Sequence, residues 1–277
     1  MTVSILILAR NEEANLAQCL ASVAWSDDIV VLDDNSTDGT AEIARRAGVR
    51  LIRHSAGGER EQRTYSLREI SFKHPWVYNP DADEVTPHDL RDEIMKTAAD
   101  PARYEVAYRV RFKNMFLGKW IRRSSLYPTW VMRLFRPEKI SFERRINLTY
   151  CAEGPVGFLR AHFLHYPFNK GLDSWIEKHN RYSRLEAEEG LEIMNTSDLR
   201  WKELFDRDPI ARRRALKELF FRLPARPALR FVYAYILRAG FLDGTQGLTY
   251  CRLMAMYESM ISIKMAELRR SARKISM

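Results

Sequence analysis

Short apolar runs recur through the first 80 residues of the chain, and each is followed by polar residues. A continuous run of apolar and β-branched residues is typical of a strand buried on both faces of a sheet. VSILILA (3–9) and DIVVLDD (28–34) have this pattern, and VRLIRH (49–54) and WVYN (76–79) are two further predicted strands. The sequence therefore predicts four strands in this part of the chain, of which the first two are buried.

Segments with helical spacing separate these runs. The apolar residues of the first segment lie three or four positions apart, and Asn11 before them is predicted to cap a helix. Further helices are predicted over 40–47 and 61–72, and another is predicted to begin with Thr86 as its cap and Pro87 at its first position. Strands that alternate with helices indicate an α/β fold with a doubly wound, mostly parallel, Rossmann-like sheet.

The pattern changes after residue 103. RYEVAYRVRFKNMFLG (103–118) and WVMRLFR (130–136) are predicted strands, and GPVGFLRAHFLHY (154–166) is predicted to form a strand pair. Helical spacing dominates beyond residue 173. We therefore expect an α/β domain over 1–172 and a mostly helical, basic extension over 173–277.

Charge divides the chain into an acidic and a basic part. The net charge is +9, yet residues 1–100 hold 11 Lys and Arg against 18 Asp and Glu. An acidic part can hold a cation, whereas a basic part favours an anionic partner. Residues 200–238 combine 11 basic and 4 acidic residues with aromatic and leucine side chains. This stretch predicts peripheral contact with an anionic membrane surface rather than with nucleic acid; a solvated basic face is the alternative.

The remaining composition favours a cytoplasmic protein. No apolar run approaches the roughly 20 residues of a membrane span, and the N-terminus lacks the basic start of a signal peptide. The three cysteines are far apart in the sequence and odd in number, which favours a reducing compartment without a disulfide framework. The expected location is the cytoplasm, with peripheral contact at the inner face of the cytoplasmic membrane.

Three polar stretches, ARNEE, DDNST and PDADE, each follow a predicted strand. Ligands of open α/β sheets bind at the carboxyl ends of the strands, so these stretches should converge. Asp81 and Asp83 could then share one divalent cation, since Mg²⁺ and Mn²⁺ commonly bridge carboxylates to substrate phosphates. Taken alone, a D-x-D pair is also consistent with a solvated turn.

These motifs carry a resemblance to a known family. SILILARNEEANLAQCLASV, DDIVVLDDNSTDGTAEIARRAG and WVYNPDADEVTP resemble, in order and spacing, the nucleotide-sugar-binding half of family 2 glycosyltransferases with the GT-A fold. The segments YPTWVMRLFR, GPVGFLRAHFLHY and RAGFLDGTQGLTYCRLMAMYESMISIKMAE are similar to a bacterial branch of lipopolysaccharide-core β-glucosyltransferases and related envelope-glycan enzymes.

The resemblance implies a role for several residues. Those implied to contact the nucleotide sugar are Arg10, Asn11, Asp33, Asp34 and Asp81. Asp83 is the implied ligand of Mn²⁺ or Mg²⁺, with Asp81 beside it, and through the metal it would act in catalysis. Arg63 faces the donor or lies on the surface, and Glu84 supports the site or starts a helix.

The general base is less clearly implied. Many relatives carry a His-Glu pair where this chain has Asn147-Leu148, so Glu143 and Glu153 are the nearby candidates and Glu143 is the one we favour. Five further residues have open roles. Arg133 and Arg136 bind phosphate or pack in the sheet, His162 and His165 pack or contact the acceptor, and Trp175 packs on a helix or stacks on a sugar.

Together these features predict an inverting, metal-dependent glycosyltransferase that uses a UDP-sugar and an envelope glycan or glycolipid acceptor. A nucleotidyltransferase is the first alternative, although LARNEEANL contains no glycine for a phosphate loop. A non-catalytic glycan- or membrane-binding protein on the same fold is the second, because the usual His-Glu pair is missing.

Overall fold

The computed structural model describes residues 3–55, 57–143, 149–196 and 209–275. Two compact units divide the chain. The first contains residues up to 120 and 127–170, and the second contains 121–126 and the residues from 171 onward. No helix among the described residues is long and apolar enough to cross a bilayer.

The first unit contains all the described strands and four α-helices. The strands are Val3–Ala9 (β1), Ile29–Asp33 (β2), Arg50–Arg53 (β3), Trp76–Tyr78 (β4), Glu84–Val85 (β5), Ala107–Phe116 (β6), Lys119–Trp120 (β7), Trp130–Phe135 (β8), Ile140–Glu143 (β9), Thr149–Ala152 (β10) and Val156–His165 (β11). The helices are Leu16–Val23 (α1), Thr40–Arg46 (α2), Glu59–Glu69 (α3) and His88–Ala99 (α4), with a 3-10 turn at Pro137–Lys139.

The main sheet has the strand order β3-β2-β1-β4-β8-β6-β11-β5, and β7 pairs with β6. Strands β3, β2, β1 and β4 run parallel to one another, whereas β8 is antiparallel to both β4 and β6. Strand β11 runs parallel to β6, and β5 is antiparallel to β11. The predicted mostly parallel, doubly wound sheet is confirmed, and β9 and β10 form a separate hairpin.

Apart from Ser4, strand β1 is apolar because both of its faces are covered. Ile5 and Ile7 point to the side packed by α1 and α4, where they join Leu16 and Leu90 in one buried cluster. Leu6 points to the other face and joins a cluster that α3 partly covers. Successive side chains of a strand alternate between faces, so a continuous apolar run is what a central strand requires.

Three local expectations differ from the structure. Helix α1 begins at Leu16, so Asn11 is not its cap; Asn11 has φ +54° and lies in the preceding loop. Helix α4 begins at His88, and the hydroxyl of Thr86 lies 3.1 Å from that of Tyr78 instead of capping the helix. The third difference is at 154–166.

Residues 154–166 contain one long strand, β11, rather than the predicted pair. Its pairing with β6 shifts register between Phe158 and His162, which accounts for the interrupted pattern in the sequence. Gly157 lies so close to Tyr108 that a Cβ atom there would come within 2.4 Å of the ring. A larger residue at this position would push the two strands apart.

The second unit is helical. Its elements are Gly171–Thr196 (α5), Pro209–Arg222 (α6), Arg226–Phe231 (α7), a π-helical segment at Val232–Leu237, a 3-10 turn at Gly240–Asp243 and Gly244–Ile275 (α8). Its core includes Ala187 of α5, Phe221 of α6, and Ile261 and Met265 of α8. The mostly helical character predicted beyond residue 173 is confirmed for the described residues.

A buried carboxylate joins the amino ends of the central strands. Asp28 is 1% exposed and accepts hydrogen bonds from the Ser4 hydroxyl (2.6 Å) and the Lys73 amide (2.8 Å), and it pairs with Arg50 at 2.9 Å. Burial by itself would raise its pKa, but these three partners hold the pKa of Asp28 below its ordinary value. The ionised form of Asp28 therefore connects β1, β3 and the loop before β4.

We expect Asp28→Asn to lower the free energy of unfolding by about 2–4 kcal/mol near neutral pH. A depressed carboxyl pKa contributes stability above the unfolded-state pKa, about 3.9, and loses it as the pH falls through the folded-state pKa. The difference between variant and wild type should therefore shrink in acid. Urea titrations over a pH series measure it; exposed Asp27→Asn is the control, and equal stability of both variants would contradict the role of Asp28.

Candidate active site

The end of β1 and the end of β2 are tied together by side chains. Arg10 lies 3.1 Å from Asp34, whose side chain is 18% exposed. The amide of Asn11 donates to the Ser36 hydroxyl at 2.8 Å, and the Asn11 side-chain oxygen accepts from the Thr37 amide at 2.8 Å. The positive φ of Asn11 allows it to face the second polar loop instead of starting a helix. The predicted convergence of the first two polar stretches is thus present.

The two adjacent aspartates of the second stretch differ in exposure. The side chain of Asp33 is fully buried, accepts from the Ser36 amide at 3.1 Å and lies 3.3 Å from Arg53. Asp34 follows β2 and has a partly open carboxylate beside Arg10. Asp33 therefore helps to fix the loop that follows β2, whereas the carboxylate of Asp34 is accessible to a ligand. Nucleotide contact by either residue stays a prediction.

Glu12 is a further carboxylate at the end of β1. Its amide donates to the Thr40 hydroxyl at 2.7 Å, and its side chain binds Lys170 and the Asn15 amide group. Burial raises the pKa of Glu12, although the hydrogen bonds from Asn15 and Lys170 act in the opposite direction. Sequence reasoning gave Lys170 no role, because it lies about 160 positions from Glu12.

The third polar stretch meets the first through the backbone. Asp81 forms an isolated parallel bridge with Leu8 of β1, and Glu84 accepts from the Asp81 amide at 3.1 Å. The D-x-D segment is therefore fixed beside the end of β1, the central strand of the parallel part of the sheet.

Arg133 is the centre of a buried ionic cluster. It is 6% exposed, and its guanidinium group donates to Glu84 at 2.5 and 3.0 Å and also to Asp81. Burial opposes ionisation of Asp81, but Arg133 and Arg63 outweigh it and hold the pKa of Asp81 well below its usual range. Burial raises the pKa of Glu84 to about 7, with Arg133 opposing the rise. In the structure, Arg133 and Glu84 support the D-x-D segment.

Arg63 is also buried, at 8% exposure, rather than on the surface. It lies 3.2 Å from Asp81 and donates to the side-chain oxygen of Asn79 at 3.0 Å and to the Tyr150 hydroxyl at 2.5 Å. The Tyr150 hydroxyl in turn donates to Asn79 at 3.1 Å. Two arginines from different elements, α3 and β8, thus grip the same aspartate.

His165 lies beside Asp83, which the sequence did not indicate. Its Nε2 atom is 3.4 Å from the Asp83 carboxylate, and its Nδ1 atom is 2.7 Å from the Asn114 side-chain oxygen. Burial disfavours the charged imidazole, but Asp83 with Glu84 and Asp81 raises the pKa of His165 above its ordinary value. The register that pairs His165 with Glu84 brings the end of β11 to the D-x-D segment, and this pairing has no local signal in the sequence.

The donor set around Asp83 fits a divalent cation of the Mg²⁺ or Mn²⁺ type. Asp83 and His165 offer one carboxylate and one imidazole, and the second nitrogen of His165 already has a partner that fixes its orientation. Among the described residues no group of three or more His, Cys, Asp or Glu side chains could hold a metal by itself. Mg²⁺-type ions usually keep several positions for water and substrate phosphates, so two protein ligands suffice.

The predicted base lies partly outside the described residues. The backbone of Glu143 ends β9 opposite Thr149, but its side chain, together with Asn147 and Leu148, falls outside the part of the chain that the structure describes. Its hairpin partner β10 carries Tyr150 into the Arg63 cluster. A role for Glu143 stays a prediction.

Two of the residues with open roles, Arg136 and Trp175, take part in packing. The guanidinium group of Arg136 lies 4.8 Å from the ring centroid of Trp76. Trp175 is 5% exposed and stacks on His179 at 3.7 Å. His162 is three residues before His165 on β11, and burial lowers its pKa.

Comparison with known proteins identifies the family. The model of glycosyl transferase family 2 matches residues 4–166, more than half of the chain and all three polar strand ends. The protein belongs to glycosyl transferase family 2. The family, the GT-A fold and the glycosyltransferase class predicted from the sequence are thereby confirmed.

Relatives of this glycosyltransferase occur in bacteria. It is 29% identical over 199 residues to the lipopolysaccharide core biosynthesis glycosyltransferase LpsC of Rhizobium meliloti, covering 69% of this chain and 73% of LpsC. It is 26% identical to an uncharacterised glycosyltransferase of Rickettsia typhi, covering 99% of this chain and 89% of that protein. The mannosyltransferase PcManGT of Pyrobaculum calidifontis, solved with GDP-Man and Mn²⁺, has the same fold, with a TM-score of 0.53 at 16% identity over 95% of this chain and 86% of PcManGT.

We expect Arg133→Met to lower the free energy of unfolding by about 3–5 kcal/mol, because it leaves the buried Glu84 and the partly exposed Asp81 without their main cation. Arg136→Met is the matched control on the same strand. It removes only a contact with Trp76, worth about 1 kcal/mol. Urea denaturation of both variants measures the contrast, and similar losses for the two would show that the cluster is not central to stability.

Proposed function

We propose that this family 2 glycosyltransferase is an inverting, metal-dependent hexosyltransferase. It transfers a hexose from a nucleoside diphosphate sugar, a UDP-hexose, to a hydroxyl of an envelope glycan or glycolipid such as a lipopolysaccharide core. The observation that carries the proposal is the junction of three polar strand ends, at which Arg10 meets Asp34 and Asp81 meets β1. The similarity to LpsC supports the acceptor class.

The donor nucleotide would bind where β1 and β2 end. The Asp34 carboxylate accepts hydrogen bonds from ribose hydroxyls or from a base N–H, and Arg10 provides positive charge beside it. Asn11 and Asp33 hold the two loops in place through Ser36 and Thr37. Asp81 is ionised and fixed by two arginines, so it presents its remaining acceptor capacity to the ribose hydroxyls without needing to reorient.

Asp83 and His165 would hold the metal ion. When bound, Mn²⁺ or Mg²⁺ neutralises charge that develops on the departing diphosphate. The protein contributes orientation: Asn114 fixes the imidazole of His165, and the Arg133–Glu84 pair fixes the loop that carries Asp83. Because Asp81 is bound to arginines, Asp83 is the member of the D-x-D pair to which we assign the larger share of metal binding.

The enzyme would work at the inner face of the cytoplasmic membrane, where a glycolipid acceptor would be presented. The basic composition after residue 100, with a net charge of +16, supports contact with anionic lipid. Peripheral attachment of this kind needs no membrane-spanning helix.

We expect Asp83→Asn to lower kcat/KM for transfer from a UDP-hexose by about 100-fold or more, since the metal and its stabilisation of the leaving group are lost. His165→Gln should weaken Mn²⁺-dependent binding of UDP by about 10- to 100-fold. His162→Gln, on the same strand, is the matched control and should behave as wild type. Calorimetry with UDP and Mn²⁺ measures binding, and a radiolabelled donor measures transfer.

Two results would contradict this assignment. Full activity of Asp83→Asn would remove Asp83 from the metal site. Tight binding of UDP and Mn²⁺ by wild type, with no turnover on lipopolysaccharide-core or other glycolipid acceptors, would favour a non-catalytic binding protein on the same fold.

We assign the general base to Glu143, on the hairpin that carries Tyr150 into the site. Inversion requires a group that removes the proton from the attacking hydroxyl, and such groups contribute typically about 10²–10⁴-fold in rate. Glu143→Gln should therefore lower kcat about 100-fold or more and leave UDP binding unchanged. Glu153→Gln is the control on the same segment, and a larger loss there would move the assignment to Glu153.

A further inference from the structure

The second unit exposes a run of large apolar side chains between residues 223 and 242. We call this run the apolar face. It consists of Leu223, Leu229, Val232, Tyr233, Ile236, Leu237, Phe241 and Leu242. Their exposed fractions range from 38% at Leu223 to 71% at Leu237. Scattered exposed apolar residues are ordinary, but contiguous ones mark a surface that meets a partner or a membrane.

The spacing of these residues places them on one side of a helix. Residues 229, 232, 233, 236 and 237 recur at intervals of three and four along α7 and the π-helical segment, which continue into each other. The inward side carries Arg226 and Ala234, which are 5% and 2% exposed. The fold therefore covers the side of this helix that carries Arg226 and Ala234, and it leaves the opposite, apolar side exposed.

The apolar face is held in place by close backbone packing. A Cβ atom on Gly240 would come within 2.5 Å of the Ala234 carbonyl oxygen, and one on Gly247 within 2.3 Å of the Gly240 carbonyl oxygen. Tyr235 stacks on Phe231 at 5.2 Å and lies 6.3 Å from Phe241. The 3-10 turn that exposes Phe241 and Leu242 is thus pressed against the π-helical segment and α8.

The end of the turn is fixed by a buried acid. Asp243 is 5% exposed and accepts from the Ser124 hydroxyl at 2.7 Å and from the Arg123 and Ser124 amides at 2.8 Å each. Its charge is therefore satisfied inside the unit. The packing of Gly240 and Gly247 and the hydrogen bonds of Asp243 therefore hold the backbone beside the exposed side chains of the apolar face.

The charge around the apolar face is positive. Residues 219–257 contain five arginines and a single acid, the buried Asp243. One of the arginines, Arg226, is paired with Glu258 at 2.7 Å. Arg222, Arg230 and Arg238 are partly exposed and lie along the same segment as the apolar residues. An apolar surface with basic residues at its border matches the acyl region and the anionic headgroups of a bilayer.

A second copy of the chain fits this surface less well. In a two-fold dimer the same patch faces itself, so each arginine border would meet another arginine border. The tyrosine and phenylalanine side chains of the face also favour the membrane–water interface, where aromatic residues are enriched.

We propose that the apolar face, which overlaps the end of the basic stretch 200–238, inserts into the interface of an anionic bilayer and provides the main membrane contact. The proposal rests on the membrane-side function proposed above and locates its contact surface. Leu237, Ile236, Phe241 and Leu242 enter the headgroup–acyl boundary, while the bordering arginines remain with the lipid phosphates.

The test is co-sedimentation of the full chain with vesicles of phosphatidylethanolamine and phosphatidylglycerol, compared with vesicles of phosphatidylcholine alone. Wild type should bind the anionic vesicles more tightly, and high salt should weaken the binding without abolishing it, because the apolar part is not screened. The double variant Ile236→Ser/Leu237→Ser should bind at least about tenfold more weakly.

Ile263→Ser is the matched control, since Ile263 is 69% exposed in the same unit but lies outside the apolar face. It should bind vesicles as wild type does. Thermal unfolding checks that each variant is folded, and transfer to a soluble acceptor checks the enzyme independently of lipid. Loss of vesicle binding with retained transfer separates the membrane proposal from the proposed function.

Two outcomes would overturn the proposal. One is unchanged vesicle binding by a folded Ile236→Ser/Leu237→Ser variant. The other is a lipid-free dimer in sedimentation velocity that this variant converts to monomer, which would assign the face to a second copy of the chain.

Discussion

The pairing of Arg133 with Asp81 and Glu84 is the interaction on which the site depends. A buried guanidinium group and two carboxylates cost desolvation free energy, which is offset only when each finds its partners. The cluster also joins β8, an antiparallel strand, to the loop that follows β4 at the edge of the parallel strands. The stability of the fold and the geometry of the site therefore depend on the same cluster. A substitution that breaks it is expected to destabilise the fold and to displace the D-x-D segment.

The same cluster gives the two carboxylates of the D-x-D segment different partners. Asp81 is bound to two arginines, whereas Asp83 lies beside His165. Two acids one residue apart thus have different electrostatic surroundings. The arginines that neutralise Asp81 reduce the repulsion that two adjacent carboxylates would otherwise exert on each other and on an incoming diphosphate.

The fold was predictable where a local pattern of apolar residues indicates that a strand is buried. The apolar runs of β1 and β2 and the polar residues after them indicated the parallel sheet and the edge at which the motifs meet. Contacts between distant residues were not predictable. His165 reaches Asp83 through strand pairing, Lys170 reaches Glu12 from the end of the first unit, and Arg63 is buried although α3 has few apolar residues. Asn11 was misassigned because a loop asparagine with positive φ resembles a helix cap in sequence.

Residues 121–126 belong to the second unit although the chain on both sides of them belongs to the first. The polypeptide therefore passes between the units three times, after residues 120, 126 and 170. A fragment that stopped at Lys170 would retain Ser124 and lose Asp243, the acceptor of its amide and hydroxyl. The family 2 region of this chain is consequently not separable from the second unit by a single cut, because residues 121–126 of that unit lie inside it.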